Sequence, residues 1–278
     1  MTSNADVVIA LEKVCTHFGS HVVHTDLDFE VRRGEIVAIA GGSGSGKSVL
    51  LREMIMLQQP TSGTIRLFGD DIAHLTDAQT KALRLRWGVM FQYGGLFSAL
   101  NVRANVGLPL REHSELDHAL IDRIAEWKLS LTGLPPEASL KLPNELSGGM
   151  AKRASLARSI ALDPEMLFLD EPTSGLDPAS AAGVNELILS THALYGLTIV
   201  IISHDLDLLW QVCDRVAVLG EGRVIADGSM QELSHSDHPV VREYFINHRE
   251  KKTIASESSP AQPEPQPVQP ALLMKKRD

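Results

Sequence analysis

Apolar and polar positions alternate in short runs from residue 7 to residue 37, with breaks at Gly19 and Gly34. A period of two predicts β-strands joined by turns. EIVAIA, residues 35–40, is apolar almost throughout, as in a strand buried on both faces. A glycine-rich loop follows, and then SVLLREMIML, whose apolar spacing is helical and which stops before Pro60. TSGTIRLFGDDI predicts a further turn and strand. From about Asp77 to Leu146 the period changes: DAQTKALRLR and ELDHALIDRIAEWKLSLTGL are helical in pattern and strand-like runs are few, so this stretch reads as a helical insertion. MLFLD at 166–170 and LTIVIIS at 197–203 are continuous apolar strands flanking the helical ASAAGVNELILSTHALYG. That order predicts right-handed β–α–β crossovers and a parallel sheet. RVAVLGEGRVIADG predicts a closing hairpin with its turn near Glu221-Gly222.

Composition changes this picture mainly at the C-terminal end. After Tyr244 the chain turns polar, and SESSPAQPEPQPVQPA carries prolines at 260, 263, 265, 267 and 270. Such a stretch buries too little apolar surface to offset its ordering entropy, so residues 246–278 are expected to form a disordered tail. A net charge of -9 argues against a broad basic surface for nucleic acid. Cys15 and Cys213 are too few for a disulfide framework and read as small core-filling residues in a reducing compartment. No apolar run approaches the ~20 residues of a membrane-spanning helix. MTSNADVVIAL lacks a basic start and an apolar run long enough for secretion. The expectation is a soluble, cytoplasmic protein that meets a membrane through a partner.

Two segments carry chemistry by their residue types and context. In GGSGSGKS, Gly41, Gly42, Ser43, Gly44, Ser45, Gly46, Lys47 and Ser48 fit G-x-x-x-x-G-K-[ST] between a predicted strand and a predicted helix. Glycines let successive N–H groups turn inward, and the helix N-terminus adds positive potential, so the loop can cradle phosphates. Lys47 then reaches the β- and γ-phosphates of ATP and the Ser48 hydroxyl ligates Mg²⁺. The bland alternative is a flexible glycine–serine loop. In MLFLDE a buried strand ends in Asp170 and Glu171, delivering two carboxylates to the sheet edge where ligands bind. Asp170 suits Mg²⁺ and Glu171 suits a general base that polarises water. An acidic helix cap ahead of Pro172 is the structural alternative.

The order of motifs resembles the ATP-binding subunits of ABC transporters. Each element occurs once: the phosphate loop, Gln92 in VMFQYGGLF, LSGGM, MLFLDE, SGLDP at 174–178, and His204 in IISHD. The resemblance covers about residues 7–235. It implies an α/β phosphate-loop ATPase domain over 7–245, with an N-terminal antiparallel β subdomain, a RecA-like parallel-sheet core and a helical subdomain at about 93–160. It also implies roles. Phe18 matches the aromatic that stacks on adenine, with a core phenylalanine as the less favoured alternative. Gln92 matches a glutamine that senses Mg²⁺ and the attacking water, and His204 a switch histidine on the γ-phosphate. Asp177 matches the loop crossing between two nucleotide sites. Ser147, Gly148 and Gly149, which by themselves read as a helix cap and exposed N–H groups, match a grip on the γ-phosphate held by a second copy. One chain carries one of each motif, so a homodimer holding two ATP is implied.

Within that family, VMFQYGGLFSALNVRANVGLPLREHSEL, the methionine of ELSGGMAKR and HPVVREYF at 238–245 resemble ATPases of Mla/Mce-type lipid transporters. This resemblance implies an ATPase at the cytoplasmic face of the inner membrane that drives an MlaE-like permease dimer. Its implied companions are an MCE-domain protein and a small STAS-type regulatory subunit, with no nucleic acid. An importer of amino acids or other small solutes is the alternative, and a non-transport protein acting on nucleic acid or ribosomes a more distant one. Met150 itself is expected to pack under the helical subdomain, away from nucleotide.

Overall fold

The computed structural model describes residues 6–242. Two sheets divide the strands. The first is antiparallel, in the order β2 (His21–Arg32), β1 (Val7–Phe18), β4 (Ser62–Leu67), β5 (Asp70–Asp71). The second has the order β10 (Arg223–Gly228), β9 (Arg215–Gly220), β3 (Ile36–Ala40), β8 (Thr198–Ile202), β7 (Met166–Asp170), β6 (Trp87–Met90). Every pair from β9 to β6 is parallel and only the β9–β10 hairpin is antiparallel. This matches the strands read from periodicity, with one addition. β6 lies inside the stretch that reads as helical, because WGVM is too short to display a period. Gly88 is required there: a Cβ would come within 1.9 Å of the Ser159 carbonyl oxygen.

α1 (Lys47–Met54) follows β3, and α2 (Asp77–Arg84) follows β5. α3 (Val102–His113) and α4 (His118–Leu131) form the insertion, with α5 (Gly148–Ser159) leading back to the sheet. α6 (Pro178–Tyr195) and α7 (Leu206–Val212) flank β8, and α8 (Met230–Ser234) follows β10. Ser, Thr, Asp or Asn side chains cap α2 to α8 at their N-termini. Each such cap satisfies a backbone donor that the helix itself leaves open.

Alternate residues of the parallel strands feed two cores, since both faces of that sheet are covered. Val37, Ile39, Phe168, Val200 and Ile202 pack with α1 and the first sheet. Ala38, Leu167, Leu169, Ile199 and Ile201 pack with Leu156, Val184, Ile188 and Leu209. Each fully buried Leu, Ile or Phe contributes about 1.5–3 kcal/mol. A third cluster, Val102, Val106, Ala125, Leu129 and Ala154, belongs to the insertion, and Met150 packs against it as the sequence suggested. The two sheets are tied together: Thr25 N–H donates to the Gly222 carbonyl at 2.9 Å, and Arg215 joins the Glu30 carbonyl to the Glu35 and Asp227 carboxylates. Residues 239–242 begin a helix, while the rest of HPVVREYF and the proline-rich stretch lie outside the described residues. No helix among the described residues is long and apolar enough to cross a membrane.

Candidate active site

The carboxyl ends of four strands open on one edge of the parallel sheet. The phosphate loop follows β3, Gln92 follows β6, Asp170 and Glu171 end β7, and Ser203 and His204 follow β8. This is the edge where open α/β sheets bind ligands. Crossovers through helices force the strands to run parallel, so residues far apart in sequence share it.

The loop closes on α1 through Gly46, whose φ of +98° suits glycine. A Cβ there would also meet His24 Nε2 at 2.6 Å and Val23 Cγ1 at 2.9 Å, so β2 packs directly beneath the turn. The Lys47 ammonium is pinned over the loop, donating to the Gly41 carbonyl at 2.9 Å, the Gly42 carbonyl at 2.8 Å and Ser45 Oγ at 3.3 Å. Burial lowers its pKa, while Glu171 and Asp170 pull it back up. Gly44 to Val49 line one cavity of about 320 Å³ with Phe18, His21 and Val23. Phe18 is 53% exposed, so it is a wall of that cavity and not a core residue.

Glu171 adopts φ +48°, a strained value for a residue with a side chain. Its N–H donates to the Ile202 carbonyl at 2.8 Å. Its carboxylate is buried against β8: Ser203 Oγ donates to Oε2 at 3.3 Å and His204 Nδ1 lies 2.7 Å from Oε1. Burial first, and the adjacent Glu171 charge second, raise the Asp170 pKa, with Lys152, Arg52 and Lys47 opposing.

Mg²⁺ fits this chemistry. No group of three or more His, Cys, Asp or Glu among the described residues could hold a metal by itself. A magnesium bound with nucleotide needs only one or two protein oxygens, the rest coming from phosphates and water. Ser48 and Asp170 would supply such oxygens, and a cation there would offset both causes of the raised Asp170 pKa, its burial and the neighbouring Glu171 charge.

Neither Ser147, Gly148 and Gly149 nor Gln92, Asp170, Glu171 and His204 line the phosphate-loop cavity itself. Ser147 caps α5, its hydroxyl accepting from Met150 N–H at 3.3 Å, and its glycines lie against Leu176 and Ser180. Asp177 caps α6, accepting from the Ala179 and Ser180 N–H groups and from Ser180 Oγ, contacts that hold its pKa down. The phosphate loop, Gln92, Asp170, Glu171 and His204 thus share one edge, while the glycine pair and Asp177 sit together at the N-termini of α5 and α6.

Sequence reasoning missed Ser203, His24, Glu53 and Lys152. His24 and Glu53 are fully buried below the loop, 3.3 Å apart, with Thr16 donating to the same carboxylate. Lys152 was legible only as a lysine sharing a helical face with Leu156 and Ser159, three residues that all prove buried.

The family model described as ABC transporter matches residues 24–174, more than half of the chain. A probable ribonucleotide transport ATP-binding protein, mkl, of Mycobacterium leprae is 38% identical over 243 residues, covering 87% of this chain and 70% of that protein. The intermembrane phospholipid transport system ATP-binding protein MlaF of Haemophilus influenzae is 39% identical over 218 residues, covering 78% and 82%. The dimeric post-hydrolysis structure of the ATP-binding cassette MJ0796, bound to ADP and Pi, superposes with a TM-score of 0.73 at 27% identity, covering 80% and 98%. By fold, site and relatives, this chain belongs to the ATP-binding subunits of ABC transporters, which hydrolyse ATP with Mg²⁺ and act as dimers on a membrane permease.

Proposed function

We propose that two copies of the chain close head to tail on two ATP molecules and drive a lipid-moving permease at the cytoplasmic face of the inner membrane. Lys47 and the loop amides hold the phosphates, Phe18 stacks on the adenine, and Ser48, Asp170 and Gln92 would hold Mg²⁺. Bound there, the ion would neutralise charge developing on the β- and γ-phosphates. Glu171 takes a proton from the attacking water as it adds to the γ-phosphorus and ADP leaves. His204, 2.7 Å from Glu171, orients that carboxylate and reaches the γ-phosphate. Ser147, Gly148 and Gly149 of the other copy grip the same phosphate through α5's N-terminal amides, and Asp177 lines the crossing between sites. The observation that carries this reading is the convergence of four strand ends on one edge around the phosphate loop, and the likeness to the dimeric ATP-binding cassette MJ0796 supports a second copy's glycine pair as the other half of the site.

Lipid as the cargo is supported by the segment after Gln92, by Met150 and by the likeness to MlaF. Asn105, fully buried, folds that segment around itself through Phe97, Leu100 and Asn101, leaving Phe91, Tyr93 and Phe97 exposed beside Gln92. These aromatics offer the permease an apolar face. An MlaE-like permease, an MCE-domain protein and a STAS-type subunit are the proposed companions. The ATPase domain is assigned to 7–245, with 246–278 as an appended tail. A nucleotide cargo is the second reading, favoured by the mkl name. Purification of the chain with its membrane partner, followed by mass spectrometry of extracted small molecules, separates the two. Phospholipid with an MCE-domain protein supports the lipid reading; a nucleotide with a soluble binding protein overturns it.

A further inference from the structure

Lys152 stands on α5, one turn beyond the glycine pair, and its side chain is almost wholly buried. Its ammonium donates to the Gln92 carbonyl at 2.7 Å, the Glu171 carbonyl at 2.8 Å and Ser174 Oγ at 3.3 Å. Three protons meet three acceptors, so the cation is saturated without a carboxylate among its partners. Ser174 Oγ donates in turn to the Glu171 carbonyl at 3.0 Å. The acceptors come from the ends of two strands, and the donor comes from the helix that presents Ser147, Gly148 and Gly149.

A cation buried among neutral acceptors is a costly arrangement. Burial lowers the Lys152 pKa, and the charges of Glu171 and Asp170 offset this only in part. An apolar residue would fill the space at lower cost, so the cost goes to something other than packing. What Lys152 grips is the peptide of Glu171, the residue whose left-handed backbone needs holding. The Glu171 N–H is fixed to β8 and its carbonyl to α5, so the aim of the carboxylate depends on both.

We propose that Lys152 is a positioning residue for hydrolysis, tying the Glu171 and Gln92 peptides to α5 so that the water-activating carboxylate is aimed only while that helix is seated. The inference rests on Glu171 as the base. It makes α5 a two-ended part: its N-terminus reads the phosphate held by the other copy, and its second turn sets the carboxylate of its own. A shift of α5 therefore reaches the Glu171 peptide in its own copy through a single side chain.

The test uses the purified full-length chain with Lys152→Met, Ser174→Ala and Glu171→Gln. Lys152→Met should lower kcat about 100-fold, the scale of a 1 Å misplacement. KM and equilibrium ATP binding should stay within about twofold. Ser174→Ala, which keeps Lys152 and removes one acceptor, should lower kcat a few-fold with the same unchanged binding; it serves if Lys152→Met does not fold. Lys152→Met in the Glu171→Gln background should still dimerise on ATP, because the phosphate loop and glycine pair are untouched. Unchanged kcat in Lys152→Met, or in Ser174→Ala where that is the readable variant, overturns the proposal. So does a fall in ATP affinity and dimerisation parallel to that in kcat, which marks a merely structural role. If Glu171→Gln alone keeps wild-type turnover, the assignment of the base fails first, and that result is distinct from either of these.

Discussion

Two buried lysines anchor the helical insertion to the sheet domain, and they are built differently. Lys152, at the catalytic edge, has only neutral acceptors around its ammonium. Lys128, on α4, has side-chain accessibility of 0% but pairs with Asp163, donates to Tyr195 Oη at 3.0 Å and lies 4.8 Å from the Trp127 and Tyr195 ring centroids. One cation is neutralised where it stands; the other sits in the field of carboxylates that belong to the reaction. Charge at the far end serves cohesion, and charge at the catalytic edge serves geometry at some expense of cohesion.

The largest effect that would break this contrast is at the edge itself. Glu171→Gln should cut ATP turnover by about 10²–10⁴-fold while the melting temperature of the nucleotide-free chain stays within a few degrees; a large loss of stability would place cohesion at the edge after all. Next comes the His24–Glu53 pair below the phosphate loop. His24→Leu strands a buried carboxylate and should cost about 3 kcal/mol by denaturant unfolding. The double change to His24→Leu with Glu53→Leu should recover most of that, because replacing both partners of a buried polar pair by apolar groups of similar shape can be nearly neutral.

Lys128→Met should cost less, about 1–2 kcal/mol, since Asp163 is 63% exposed and water can take over its hydrogen bonds. Its kcat should match wild type, the reverse of Lys152→Met, and equal losses in the two variants would erase the distinction. The smallest effect is one of pH. Because the folded-state pKa of Asp170 is raised, its ionised form costs stability, a cost absent below the unfolded-state pKa and complete once pH has risen through the folded value. Asp170→Asn should therefore melt slightly higher than wild type at neutral pH without nucleotide, and the gap should close on acidification.

The difference between the lysines also explains what the sequence could disclose. Repetitive features were legible: the apolar strands at 36–40, 166–170 and 198–202 lie where their periodicity and length place them. So was the loop at 41–48, because its glycines and Lys-Ser answer to a backbone shape set locally. β6 escaped because four residues show no period, and its strand identity comes from pairing with β7. Lys152 and Ser203 escaped because their role is defined only by what the fold brings near them, and an isolated lysine on a helix reads as a solvated one. Phe18 stood between two readings until the cavity decided for the surface.

Phe18 and Lys47 also hang from different sheets. Besides the packing of β2 under Gly46, the sheets that carry them are held by the tie from Thr25 to Gly222 and by the three-partner bridge at Arg215, neither of which lines the cavity. The pair of sheets is in effect a caliper whose jaws are an aromatic ring and a phosphate cradle, with its set-screw on the outside. Loosening Arg215 should therefore blur the discrimination between nucleoside triphosphate and bare triphosphate while leaving each jaw intact.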